Sequence, residues 1–184
     1  LGGKRPDLDY FPLTVEYVER LYAGGRIKGS RWVKREGRPS DDAILTARLI
    51  DRSIRPLFPK DFVGEVQVVV TVLSVDGEND PDIVSLLTAS TALSISPIPW
   101  KGPIGSIRLG LVEGKDGNES HFLVNPTEPE LELSEMDLVV SATREKIHMI
   151  EAGASQVPED VMVEALKAAK KEADQKFEIV IPNA

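Results

Sequence analysis

The sequence predicts an α+β domain of mixed sheets packed with helices, and three features carry that prediction. A β-branched run at residues 65–75 reads as a long strand. Two helix-patterned segments flank it, one opened by a serine that can cap and one by an Asp-Pro pair. Beyond them, strand-like stretches come in pairs across polar turns, as hairpins do.

Residues 11–17 alternate apolar and polar side chains and read as the first strand. Residues 24–37 are glycine-rich and read as a long loop, a length that in a compact domain points to function or disorder. Ser40 can cap a helix over residues 41–54, with Asp41 and Asp42 well placed against the helix dipole. Ile44, Leu45, Leu49 and Ile50 form its expected buried stripe, Arg48, Asp51, Arg52 and Arg55 lie on other faces, and Pro56 and Pro59 end it. After the strand at residues 65–75, Asp80 and Pro81 open a helix that runs to about residue 95, with the proline at its first helical position. Its Ala and Ser content suggests close packing. Pro97, Pro99 and Pro103 mark a rigid connection. Residues 104–112 and 121–125 read as strands around a polar turn, and residues 137–142 and 147–152 as a further pair. Pro158 and Glu159 start a final helix to about residue 176, its exposed face laced with Lys and Glu.

At 184 residues the chain fits one domain with a sizeable core, without internal repeats or low-complexity linkers. The lack of cysteine excludes disulfides and thiolate zinc sites and suits a reducing cytoplasm, the expected location. No apolar run approaches the ~20 residues that span a bilayer, so no membrane partner is expected.

Charge is unevenly spread. Between Arg26 and Lys60 ten Lys or Arg stand against four Asp or Glu, a local charge of +6 in a chain whose formal net charge is -8. One basic segment in an acidic chain points to a polyanion met at one place, the plainer alternative being a solvated loop and helix face. Trp32, among Arg31, Lys34, Arg35 and Arg38, adds an aromatic face that can stack on an unpaired base beside charges for phosphates. Other motifs are weak. G-G-R-I-K-G-S at residues 24–30 lacks the ending of a phosphate loop. His121 and His148 lack metal-ligand spacing, Ser30 and Ser106 lack a nucleophile elbow, and Trp100 reads as packing, with a subunit contact as the alternative.

The order RIKGS, REGRPS, ARLIDRSIRPLFP, EVQVVVTVLSVD and NDPDIV, then a small-residue helix, closely resembles the first ribonuclease PH-like core domain of bacterial-type polynucleotide phosphorylase. The likeness runs from about residue 11 to about residue 163, and REGRPS with RLIDRSIRPLFP makes it specific. It implies a ribonuclease PH-like fold, with residues 1–158 as a first core lacking its N-terminal strands and residues 159–184 as the core's C-terminal helix and the start of a linker toward a helical domain. A sheet without those strands exposes an edge, so the chain is expected to self-associate. The resemblance also implies a second such core in one longer polypeptide, a homotrimeric ring, RNA-binding modules at the C-terminus and membership of an RNA-degradation assembly. The implied activity is 3′-to-5′ degradation of single-stranded RNA by inorganic phosphate, releasing nucleoside diphosphates with Mg²⁺ as cofactor, and reversible as polymerisation.

In that family the second core carries the chemistry as a D-x₅-D-x-K pattern and a serine cluster at a helix start. Here the pattern falls on Leu131, Asp137 and Val139, so only Asp137 remains, and Asp82, Ile83 and Val84 stand near the serine positions. A lone carboxylate holds Mg²⁺ poorly against water, and an aspartate repels phosphate. This chain is therefore expected to hold no catalytic residue and no metal, with Asp137 a degenerate position or a polar strand-edge residue. The family's RNA-gripping loop, two phenylalanines then two arginines, is matched only by Trp32 with Lys34 and Arg35, after Arg31 and one residue longer. Arg38, Arg52 and Arg55 are expected along the RNA path, and for each the alternative is pairing with acids between subunits or domains, Asp41, Asp42 and Asp51 being near the two helix arginines in sequence. Two function classes follow. One is the RNA-binding, ring-forming half of the phosphorolytic enzyme, and the other a stand-alone, non-enzymatic RNA-binding or assembly module of the same fold.

Overall fold

The structure is a computed structural model that describes residue 2 and residues 10–26, 37–112 and 120–180. Its elements run β1 (Leu13–Val18), α1 (Asp41–Ile54), β2 (Val66–Thr71), α2 (Asp82–Ser94), β3 (Gly105–Val112), β4 (His121–Val124), α3 (Glu128–Glu132), β5 (Met136–Ala142), β6 (Ile147–Ala154) and α4 (Glu159–Val180). β1 and β2 pair in parallel, with α1 in the connection that parallel strands require. The later strands form an antiparallel sheet in the order β4-β3-β5-β6. Helices thus pack with one parallel pair and one antiparallel sheet, the α+β architecture expected.

Ser40 starts α1 as expected, its hydroxyl accepting the Ala43 N–H at 3.0 Å. The buried stripe differs from expectation. Ala43, Leu49, Ile50, Ser53 and Ile54 are buried, while Ile44 and Leu45 are 47% and 60% exposed. Small Ala43 leads the stripe, and the next two residues are turned roughly 100° and 200° from it around the helix. β2 is shorter than the apolar run that encodes it. Its ladder with β1 ends at Thr71 because β1 ends at Val18, and Leu73 beyond it is exposed. In α2 Pro81 is the N-cap and not the first helical residue, and Asp80 supplies the missing cap by accepting the Asp82 N–H at 3.0 Å.

β3 and β5 are buried on both faces, which divides the core in two. Ile107, Leu109 and Leu111 join Leu138, Val140 and Ala142 beneath α4, where Ala165, Ala169 and Ala173 are fully buried. The helix comes so close that a Cβ at Gly105 would lie 2.3 Å from the Ala173 carbonyl oxygen. On the opposite face Val139 and Met149 pack in one cluster with α1, α2, β1 and β2. Three buried serines stitch this side together. Ser141 Oγ lies 2.8 Å from Ser106 Oγ and 3.1 Å from Ser53 Oγ, which also donates to the Leu49 carbonyl. Such pairing is what lets hydroxyls remain inside. Ser106 is therefore a structural residue.

β6 and α4 run beyond their expected ends, β6 because Ala154 pairs with Met136. α3 was not expected, although Thr127 and Glu130 form a capping box at its start. The polar turn at residues 113–119 lies outside the described residues.

Candidate functional site

Register places the candidate site on the sheet face turned toward α2. Arg108 on β3 pairs with Val139 and Gly110 with Asp137, so Arg108 and Asp137 are diagonal neighbours on one face. The start of α2 brings two more acids. Arg108 Nη1 donates to Asp80 Oδ2 at 2.9 Å and Nη2 to Asp82 Oδ2 at 3.1 Å. Its Nε lies 3.1 Å from Asp137 Oδ1, an ion pair aligned too poorly to be a hydrogen bond. One guanidinium, its side chain 14% exposed, thus faces three carboxylates.

The acids differ in what they can do about this crowding. Asp82, only 3% exposed, has its pKa pushed up to about 6 by burial, against the pull of Arg108. Asp137 is raised too, again by burial first and with Arg108 opposing. Burial disfavours the Arg108 charge, yet Asp82, Asp137 and Asp80 together hold its pKa above the usual arginine value. Tyr17 stands within the same field, pushed up to about 12 by burial and then by Asp80 and Glu19.

Of the positions of the D-x₅-D-x-K pattern, only Asp137 belongs to this cluster. Asp137 is engaged by Arg108, Val139 is buried in the core and Leu131 sits on α3. Mg²⁺ does not fit, because the inward carboxylate oxygens are turned on a guanidinium and the centre already holds a positive charge. Among the described residues no other group of His, Asp or Glu is arranged for a metal. Arg108 itself was missed in the sequence. Its signal was a lone arginine in the apolar strand Gly105–Val112.

The residues expected to meet RNA are only partly placed. Arg31, Trp32, Lys34 and Arg35 lie outside the described residues. Arg38 is exposed and lines a groove with Glu19, Arg20 and Ser40. Arg52 donates to Glu151 on β6 at 2.7 Å, both side chains half exposed. Arg55 takes Asp51 with two nitrogens, at 3.0 and 2.7 Å, and donates to the Phe11 and Leu13 carbonyls at 3.2 Å each. Within this chain Arg52 thus pairs with an acid 99 residues away and Arg55 with one a helical turn before it. Trp100 donates to the Ile54 carbonyl at 3.1 Å and packs on the core, and His121 is exposed.

Residues 2–99 match the model of the 3′ exoribonuclease family, domain 1, and residues 102–172 match that of domain 2. The chain belongs to the 3′ exoribonuclease family. Among curated relatives, the polyribonucleotide nucleotidyltransferase of Caldicellulosiruptor saccharolyticus is 53% identical over 176 residues, 96% of this chain and 24% of its own length. That of Thermus thermophilus is 51% identical over 173 residues, 94% of this chain and 23% of its own length. This family member thus spans about a quarter of those relatives. Among solved structures, the Archaeoglobus fulgidus exosome with RNA bound to the active site aligns with a TM-score of 0.69 at 19% identity, over 98% of this chain and 75% of that one. Rice (Oryza sativa) Rrp46 aligns at 0.71 and 10% identity, over 97% and 76%. These two likenesses carry the family fold.

Proposed function

We propose that this chain is the RNA-binding, ring-forming, non-catalytic core of a phosphate-dependent 3′-to-5′ exoribonuclease that releases nucleoside diphosphates reversibly. The observation that carries the reading is the Arg108 cluster. Where a catalytic core of this family would keep carboxylates and a lysine for metal and phosphate, this one ties Asp137 to an arginine and buries Val139. Identity above 50% to polyribonucleotide nucleotidyltransferases supports the enzyme class. In this reading residues 1–158 form the core and residues 159–184 lead toward a helical domain. The whole protein is a cytoplasmic homotrimer that uses Mg²⁺ and inorganic phosphate at a second core and takes part in an RNA-degradation assembly. Ile44 and Leu45, exposed on α1, offer apolar surface for that assembly.

RNA grip falls to the basic segment, with Trp32 stacking on a base and Arg31, Lys34, Arg35 and Arg38 meeting phosphates. Arg52 and Arg55 reach RNA only by giving up their internal bonds. Incubated with poly(A), phosphate and Mg²⁺, the 184-residue chain should release no nucleoside diphosphate, and Asp137-dependent release would overturn the reading. Trp32→Ala should weaken single-strand binding by about 1–3 kcal/mol. Lys34→Ala and Arg35→Ala should flatten its salt dependence. Unchanged affinity and slope would remove the RNA role from this segment.

A further inference from the structure

A second concave site lies at the far end of β5. The β5–β6 hairpin, the connection after α2 and the turn after α1 border a half-open pocket of about 480 Å³, within the range of small-ligand sites. Thr143 in its wall stands six residues along the chain from Asp137, roughly 20 Å at the rise of a strand, so the pocket is separate from the Arg108 cluster. Lys101, Arg144 and Lys146 line it, and Glu145 is the carboxylate among its lining residues.

The three cations make no ion pair among the described residues, whereas Arg52, Arg55, Arg108 and Lys170 all do. The backbone that carries Lys101 and Arg144 is hydrogen-bonded in place, and the Arg144 side chain rests on an aromatic ring. The Arg144 guanidinium lies 5.9 Å from the Phe177 ring centroid, and the Arg144 carbonyl accepts from Lys170 Nζ at 3.2 Å. The Lys101 N–H donates to the Leu57 carbonyl at 3.0 Å, fixing the opposite wall. Like charges lining one concavity repel one another, and an anion placed among them relieves that repulsion. Pro56, Leu57 and Pro103 add an apolar wall beside the charges.

We propose that this pocket binds the phosphate group of a small ligand, inorganic phosphate or a nucleotide, between Lys101, Arg144 and Lys146. His148 reports on it. Its Nε2 lies 3.0 Å from Thr143 Oγ1, and burial, then Lys146, holds its pKa below the usual histidine value against the pull of Glu145. From α4, Lys170 and its partner Asp174 complete the charges around the hairpin. A bound phosphate favours the imidazolium and raises that pKa.

The chain has two histidines, so His148 is assigned in proton NMR by its loss in His148→Gln. The 184-residue chain is titrated with inorganic phosphate, ADP and adenosine at fixed ionic strength. The expected result is a saturable response of His148 to phosphate or ADP, with its pKa rising and His121 unmoved. Tighter binding of ADP identifies a nucleotide, and equal binding identifies phosphate alone. Lys101→Gln and Lys146→Gln should each weaken binding by about two- to fivefold, the range for an exposed ion pair, with the fold checked by circular dichroism. The proposal is overturned if His148 responds to neither phosphate nor ADP, if adenosine matches ADP, or if the double lysine variant binds as well as the parent.

Discussion

Arg108→Met removes a cation that three carboxylates share while keeping most of the apolar stem. Asp80 and Asp137 are 39% and 41% exposed and can turn to water, so each lost pair is worth about 0–1 kcal/mol. Asp82 has no such escape, and leaving a buried carboxylate without its partner costs about 3–5 kcal/mol. The loss depends on pH. Because the folded-state pKa of Asp82 is about 6, above the usual carboxylate value, the folded protein holds this proton more tightly than the unfolded chain. Its contribution to stability is then greatest below about pH 4 and is lost as pH rises through about 6, a span of about 3 kcal/mol for this group. Without Arg108, the strongest influence holding that pKa down, the window extends upward. Urea unfolding followed by circular dichroism at about pH 5 and about pH 8 measures the difference. The variant should lose about 3–5 kcal/mol at the higher pH and clearly less at the lower, and Asp82→Asn added to it should restore most of the loss. A loss below about 1 kcal/mol at the higher pH, or equal losses at both, would refute the reasoning.

Gly105→Ala drives a methyl to 2.3 Å from the Ala173 carbonyl oxygen, so α4 must lift; a loss of about 1–3 kcal/mol in chemical unfolding is expected, and no loss would mean that the helix docks elsewhere. Ser40→Ala takes the acceptor from the Ala43 N–H and the donor from Glu19, and should cost about 1 kcal/mol in thermal unfolding, with unchanged stability counting against the cap. Arg55→Lys keeps the charge but loses the fork that serves Asp51 and two carbonyls, for an expected loss of about 1–2 kcal/mol. If instead RNA affinity falls and stability does not, Arg55 faces RNA.

The limits of sequence reading follow the range of the signals. α1 was legible end to end because Ser40 and Pro56 act locally, and the paired strands after residue 100 were legible from the polar turns between them. Ile44 and Leu45 were misplaced because neighbours, not apolarity, decide which side of a helix is covered. α3 could have been found, since Thr127 and Glu130 spell a capping box. Asp137 was noted as the one remaining position of a catalytic pattern and Asp82, separately, as a departure from another. That one arginine binds both could not be read, because those contacts exist only once β3, β5 and α2 have assembled.

Helix α4 meets the sheet through alanine methyls and the bare backbone at Gly105, with Phe177 buried near the far end. Its hold is a sum of many short contacts, and contacts of that kind lose a quarter to a half of their strength over about 1 Å of separation. A lift of even about 1 Å at Gly105 therefore costs α4 much of its attraction there, so helix and sheet hold each other only at the closest approach.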